Sequence, residues 1–319
     1  VRILPVTEKT LLQDFLFTAL KDLNKTKIKQ MLKFGSVHVN GREVTWYKHP
    51  LKPGDKVEIL GKERASAERS KASLGVPIIY EDSDLLVVEK PEGLLTMGTE
   101  REKEATLYFM LTEYVRSKSK DGRGRVFIVH RLDRDASGLI VFAKTDAVKR
   151  ALQGNWGLAV KKYYAITEGT PEKRSGVIEN YLREDDFKRV YAVPKNHPEA
   201  QRAVTHYRVL GENGGYALLE ITLETGRKNQ IRVHLSGLGC PIMGDEKYGA
   251  KSDPLRRLAL HAYFLSFPDP ALFKKSTAGG VGPDNLESFN GIRAHPVTGE
   301  LKTFQTALPA PLKKIFPVI

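Results

Sequence analysis

Only one cysteine, Cys240, occurs in the 319 residues, which excludes an internal disulfide, and no Cys/His cluster has the spacing of a zinc site. Long apolar runs are missing as well: none approaches the roughly 18 residues that a membrane span needs. The opening VRILPVTEKT lacks the basic, apolar and small-residue succession of a secretory leader, so a cytoplasmic protein with no membrane contact is expected. There is no G-x-G-x-x-G fingerprint, no regular alternation of strand and helix, and no internal repeat, which argues against a doubly wound nucleotide-binding fold and a repeat array. Acidic residues are in short supply. The 38 Asp+Glu stand against 51 Lys+Arg, a net charge of +13. With 41% hydrophobic and 28% charged residues the chain can bury a sizeable core, and its length suggests about two domains. Residues 1 to 75 hold 15 basic and 8 acidic side chains, so +7 of the +13 lies in less than a quarter of the chain. Such an excess suits a polyanionic partner; the competing explanation is self-repulsion that only maintains solubility.

The amino-terminal stretch TLLQDFLFTALKD repeats Leu12, Phe15, Leu16, Ala19 and Leu20 at helical intervals, and NKTKIKQMLKF predicts a second helix. Asn24 is its expected N-cap and Gly35 its stop. Lys25, Lys29 and Lys33 fall at i, i+4 and i+8, a ladder of phosphate-binding size, with Ile28, Met31 and Leu32 turned inward. Asn40-Gly41 predicts a hairpin and Pro53-Gly54-Asp55 a further turn. Residues 61 to 75 are polar, rich in Ala and Ser, and read as a linker.

Beyond Val76 the apolar runs are short and β-rich, among them RVFIVH, GLIVFAK, KKYYAIT, AVTHYRVL and YALLEITL, broken by helical segments such as DAVKRALQGNW. A mixed, mainly antiparallel α+β sheet domain fits them. In FIVHRLDRDASGLIVFAKT two β-branched runs flank a loop in which Asp133 sits between Arg131 and Arg134. Nearby guanidinium groups favour the ionised carboxylate, so Asp133 is a candidate nucleophile or base. An isolated RLDRD also describes a surface turn whose charges neutralise one another. In GRKNQIRVHLSGLG a helix with a buried stripe of Ile231, Leu235 and Leu238 leaves Arg232 beside it, where burial would demand an anionic partner. Strand parity puts Tyr164 with the core and leaves Tyr163 available on the other face. His261, in LALHAYFLSF, is expected to be structural.

Residues 10 to 60 resemble the S4-like RNA-binding module, which implies that Lys25, Lys29 and Lys33 grip phosphates. In order along the chain, HRLDRDASGLIVFAK, KKYYA, GRKNQIRVHLSGLGCPIMGDEKYG and LALHAYFLSF resemble the RluA-type pseudouridine synthases over nearly the whole length. That resemblance implies a small N-terminal S4-like αβ domain (residues 1–60), a linker (61–75) and a pseudouridine synthase catalytic domain (76–319). It further implies that Asp133 is the catalytic aspartate, that Arg131 helps extrude the target nucleotide, and that Tyr163 and Arg232 complete the site, Arg232 by pairing with the aspartate. No cofactor and no metal are expected, the chain is expected to act as a monomer, and the partner is RNA, with large-subunit ribosomal RNA ahead of tRNA. The alternative function is a noncatalytic RNA-binding or ribosome-assembly factor on the same fold. Three departures stand out. Ala136 replaces the usual Thr of the aspartate motif, and Lys228-Asn229 replaces the usual Thr-His, placing Lys228 beside the site as a substrate-binding charge. SFPDP and AHPVTGE are separated by an insertion at about 269–294.

Overall fold

The computed structural model describes residues 2–33, 36–44, 46–60, 75–99, 102, 104–274, 288–289, 292–293 and 301–317. It divides into two compact units, Val1–Gly75 with Glu113–Gly124, and Val76–Thr112 with Arg125–Ile319. Most of the 269–294 insertion and residues 61–74 of the linker lie outside the described residues. No described helix is long and apolar enough to cross a membrane.

In the first unit the elements run β1 (Arg2–Pro5), β2 (Thr10–Leu11), α1 (Leu12–Ala19), α2 (Lys25–Lys33), β3 (Val37–Val39), β4 (Arg42–Glu43), β5 (Pro50–Leu51) and β6 (Lys56–Ile59). Four strands form an antiparallel sheet in the order β1-β6-β3-β4. The first helix starts later than its periodicity predicts, because Thr10 and Leu11 pair with Leu51 and Pro50 as a two-stranded ribbon. Leu12, Leu16 and Leu20 bury against Ile28 and Leu32 of α2 and the sheet residues Val37, Val39 and Val57. Asn24 Oδ1 accepts a 2.8 Å bond from the Lys27 N–H, the capping role its position suggests. Asn40 and Gly41 both take positive φ, 52° and 78°, as a two-residue hairpin turn requires. The Asn40 side chain then locks the turn, donating to Asp55 Oδ1 at 2.9 Å and accepting from the Lys56 N–H at 2.9 Å. Lys25 and Lys29 are exposed on α2; the Lys33 side chain and Gly35 lie outside the described residues.

The second unit contains β7 (Ile78–Glu81), β8 (Leu85–Lys90), α3 (Leu107–Lys118, whose later residues group with the first unit), β9 (Phe127–Ile128), β10 (Ser137–Ala143) and α4 (Asp146–Gly154). There follow β11 (Val160–Glu168), β12 (Ser175–Glu184), β13 (Val190–Val193), β14 (Gln201–Asn213), β15 (Tyr216–Leu223), α5 (Gln230–Gly237) and β16 (Leu260–Pro268). The sheet order is β13-β12-β14-β15-β11-β16-β10-β8-β7, with β9 added to β10 and the strand Leu301–Gln305 added to β16. Among these strands only β10 and β16 run parallel, so the sheet is mixed and mainly antiparallel.

Strand β10, SGLIVFA, is buried at every position, and its continuous apolar run is what a strand covered on both faces requires. Val148 and Leu152 of α4 cover one face together with Leu85, Val87, Leu139 and Val141. Gly138 has a φ of 117°, and a Cβ there would come within 2.2 Å of the Ala262 carbonyl oxygen. The parallel approach of β10 to β16 therefore needs glycine at the point where the Asp133 loop enters the sheet.

Candidate active site

Asp133 lies in the loop between β9 and β10, and that loop is fastened on both sides of it. The Thr96 hydroxyl donates to the Leu132 carbonyl at 2.8 Å and accepts from the Leu132 N–H at 3.3 Å. Lys90, fully buried, donates to the carbonyls of Pro91 at 2.8 Å, Leu94 at 2.9 Å and Arg134 at 2.9 Å. Burial lowers the Lys90 ammonium to about 8, against the opposing pull of Asp135, Asp133 and Glu92. The residues before and after Asp133 are thus tied to the segment 90–96, which leaves its side chain a fixed direction.

The loop ends are secured by buried polar groups. His130 Nε2 accepts the Val141 N–H at 3.1 Å, and its ring stacks on Trp156. The Ser137 hydroxyl meets His261 Nδ1 at 2.8 Å and accepts from Arg257 at 2.7 Å, while His261 Nε2 lies 3.0 Å from the Thr306 hydroxyl. Burial lowers both histidines to about 3, so both are neutral near pH 7. His261 has both ring nitrogens engaged in this framework.

One cleft is lined by Asp133 together with Arg131, Tyr163, Asn229 and Arg232. The Asp133 side chain is 21% exposed. Burial raises its carboxyl above the ordinary aspartate value, reinforced by Asp135 and opposed by Arg232, Arg131 and Lys228. The guanidinium groups act in the direction the sequence implies, but burial outweighs them. The reason is geometric: Arg232 Nη1 stands 3.9 Å from Asp133 Oδ2, too far for the charge-assisted hydrogen bond that would outweigh desolvation.

Arg232 thus faces Asp133 as an ion pair at 3.9 Å, while its hydrogen bonds go to a second carboxylate. Arg232, buried near the start of α5, gives Nε to Asp245 Oδ2 at 2.7 Å and Nη2 to Asp245 Oδ1 at 2.6 Å, a bidentate pair whose carboxylate is wholly inaccessible. Its guanidinium also lies 5.0 Å from the centre of the Tyr248 ring. Asp133 meets the outward Nη1 at ion-pair distance without a hydrogen bond. Its direct hydrogen bond comes from Asn229. With its NH2 toward Asp133, the Asn229 amide donates to Oδ2 at 2.8 Å and Oδ1 at 3.3 Å, and its carbonyl accepts from the Tyr248 hydroxyl at 2.9 Å. The opposite orientation would set the amide oxygen against the carboxylate, so the hydrogen-bond network assigns this one. The Tyr248 hydroxyl in turn accepts the Val190 N–H at 3.2 Å.

Tyr163 is 8% exposed, and burial, followed by the charge of Asp133, pushes its phenol up so that it stays protonated. Strand parity separates the two tyrosines, but Tyr163 is the more buried. Tyr164 is half-buried and stacks on Tyr263 at 3.8 Å. Leu238, expected in the α5 stripe, lies past the last helical residue and is 39% exposed. Lys228 is drawn aside by Glu184 Oε1, 2.5 Å from its Nζ. Arg131 is exposed at the rim. Lys25 and Lys29 belong to the first unit.

Lys90, Thr96, Asp245 and Tyr248 carry no signal of their own in the sequence, and Asn229 stands out there only as a departure from the family motif. Asp245 is signalled only through Arg232, since a buried arginine must have an anion and GDEKYG follows the helix directly. Chemically the cleft offers one carboxylate, a fixed guanidinium and a neutral phenol. Asp135, the other carboxylate of the loop, is exposed. A single carboxylate suits attack or proton abstraction at one carbon better than hydrolysis by a flanking pair.

The chain resembles known proteins over most of its length. The family described as RNA pseudouridylate synthase matches residues 84–237, and the S4 domain matches residues 11–57. A Bacillus subtilis protein named Uncharacterized RNA pseudouridine synthase YlyB is 34% identical over 80% of this chain and 85% of its own. Ribosomal large subunit pseudouridine synthase D of Pasteurella multocida is 30% identical over 90% of this chain and 84% of its own. The solved structure of Human RNA Pseudouridylate Synthase Domain Containing 4 superposes with a TM-score of 0.56 at 26% identity, covering 77% of this chain and 94% of that one.

Proposed function

Because this chain belongs to the RNA pseudouridylate synthase family and is an RNA-modifying isomerase with an S4 domain at its N-terminus, we propose that it converts a uridine of large-subunit ribosomal RNA to pseudouridine, with Asp133 as the catalytic carboxylate. The observation that carries this reading is the setting of Asp133: a carboxylate fixed in a cleft, contacted by one amide and facing a guanidinium that is held elsewhere. The ribosomal target is supported by relatives named for the large subunit.

The reaction breaks the bond from uracil N1 to C1′ of the ribose, turns the base, and joins C5 to C1′. C5 loses a proton and N1 gains one, so the product is an isomer and no other reactant is consumed. Asp133 acts as nucleophile or base at the nucleotide. Burial raises the basicity of its carboxylate, and Asn229 and Arg232 keep the charged form accessible. Arg232 can do so without leaving its place, because Asp245 neutralises it. Tyr163, protonated and aromatic, offers its ring to the displaced base. The target nucleotide must leave its stack, which costs a few kcal/mol. Arg131 at the rim and the exposed Lys25 and Lys29 of α2 supply phosphate contacts that offset this cost.

Site-resolved mapping of pseudouridine in cellular RNA, with and without the gene, tests the assignment. The expected result is the loss of one or more pseudouridines from large-subunit ribosomal RNA, restored by the wild-type chain and not by Asp133→Asn. An unchanged map, or a loss restored equally by Asp133→Asn, contradicts it.

A further inference from the structure

The family pattern has histidine where this chain has Asn229, and the structure gives that asparagine an unusual set of duties. It stands at the N-cap of α5, where its carbonyl accepts the Val233 N–H at 3.0 Å, yet its side chain makes no capping bond. An N-cap asparagine ordinarily spends its side chain on the first turn of the helix. Here the amide is diverted to Asp133. The backbone at Asn229 is left-handed, with φ at 52°, a conformation asparagine tolerates better than most residues. The side chain is buried beside the Tyr248 hydroxyl, and turning the amide would set its oxygen against the Asp133 carboxylate. Among the described residues no other side chain hydrogen-bonds the Asp133 carboxylate, and Arg232, gripped by Asp245, stands off at 3.9 Å.

We propose that Asn229 is the positioning residue of this active site: its amide, oriented by Tyr248, aims the Asp133 carboxylate at the nucleotide, while Arg232 contributes an ion pair without a hydrogen bond. The proposal rests on the reading of Asp133 as the catalytic carboxylate. A donor to a carboxylate stabilises the ionised form, so Asn229 also works against the burial that raises the Asp133 carboxyl. Its removal therefore affects both how the carboxylate points and the pH at which it ionises.

The test uses the full chain, an in vitro transcript of large-subunit ribosomal RNA, and single-turnover rates measured across pH for wild type, Asn229→Ala, Asn229→Asp, Asn229→His and Tyr248→Phe. Asn229→Ala is expected to slow the step about 10- to 100-fold, the effect of losing a hydrogen bond to a charged group, with the loss in the maximal single-turnover rate rather than in the half-saturating RNA concentration. The acid limb of its profile moves to higher pH. Asn229→Asp moves that limb further, since two adjacent carboxylates share one proton. Asn229→His keeps an N–H donor and recovers most of the rate, and Tyr248→Phe loses less than Asn229→Ala. Titration of the Asp133 carboxyl by carbon NMR, without RNA, reads the same shift independently of turnover. An Asn229→Ala protein whose acid limb and Asp133 titration match the wild type overturns the proposal, whatever its rate. A wild-type protein that makes no pseudouridine overturns the catalytic reading instead, and the NMR titration still decides whether Asn229 governs Asp133.

Discussion

Helix α2 and the Asp133 loop both carry charges suited to RNA, but they hold them in opposite ways. On α2, Lys25 and Lys29 stand in water on the outer face of a helix whose inner face, Ile28 and Leu32, is buried. Little but the solvent limits where their ammonium groups point, although Lys25 lies 5.6 Å from the Phe17 ring. Around the Asp133 loop the buried cations are held: Lys90 by three carbonyls, Arg232 by Asp245, Arg257 by Glu92 and Ser137. An exposed charge acts at a distance and is screened by salt; a buried one acts at contact and is costly to leave unpaired. The first arrangement suits gathering a polyanion of any sequence, the second suits chemistry on one atom.

The contrast is broken most severely by Asp133→Asn. Its expected effect is a loss of turnover of about 10⁴-fold or more, the scale on which removal of a catalytic carboxylate or nucleophile acts, with RNA affinity held within about twofold because phosphate contacts dominate binding. Stability should move the other way. The folded-state pKa of Asp133 is raised above the ordinary value, so near neutral pH the folded protein bears a buried charge that the unfolded chain solvates freely. That penalty is present above the folded pKa and disappears as pH falls through it. Thermal unfolding should accordingly find Asp133→Asn at least as stable as wild type at pH 7, with the difference closing in acid. A marked fall in Tm at pH 7 would show that the carboxylate holds the loop together instead.

Asp245→Ala comes next in size. It leaves the Arg232 guanidinium buried and unpaired, a loss of about 3–5 kcal/mol in comparable cases, and denaturant titration should register it. Turnover falls with it, because the outward Nη1 loses its anchorage. If Asp245→Ala unfolds like wild type, Arg232 has another partner and the account of the site is wrong.

The smallest effect belongs to α2. Replacing Lys25 and Lys29 by alanine should leave the denaturation midpoint within about 0.5 kcal/mol of wild type, as for exposed positions generally. RNA affinity should weaken, and the dependence of log affinity on log salt should become shallower by about 0.7 to 0.9 per lysine if each releases one counterion. An unaltered salt slope would remove α2 from the RNA-binding surface.

The two regions also differed in how far they could be read in advance. In the first unit most signals are local. Asn24 caps the helix three residues ahead, Asn40-Gly41 turns its own hairpin, and the apolar spacing of α2 matches its buried face. The start of α1 departs from helical periodicity because the pairing of Thr10 with Leu51 is a long-range choice. In the second unit the aspartate loop, the opposite facing of Tyr163 and Tyr164, and the need of Arg232 for an anion could all be read from the chain. What the chain does not show is which anion takes the hydrogen bonds of Arg232: Asp245 does, with Asp133 at ion-pair distance. The contact of Asn229 with Asp133 and the burial of Lys90 are hidden for the same reason. The backbone carbonyl that Lys90 holds lies 44 residues away, and nothing about a lysine at the end of β8 indicates that it will be buried there. Signals that rest on neighbours in the chain survive without a structure; those that rest on neighbours in space do not.

The account depends on Asp133 being brought within reach of the nucleotide by a scaffold that holds its partners apart. The most direct measurement is the crystal structure of Asp133→Asn bound to its substrate RNA. The predicted result is an unstacked uridine in the cleft, its C1′ within about 3.5 Å of the side chain at position 133, as a near-attack arrangement requires, with Asn229 still bonded to that side chain and Arg232 still on Asp245. A uridine left in its helix, or one seated in the cleft with C1′ facing away from position 133, would contradict it.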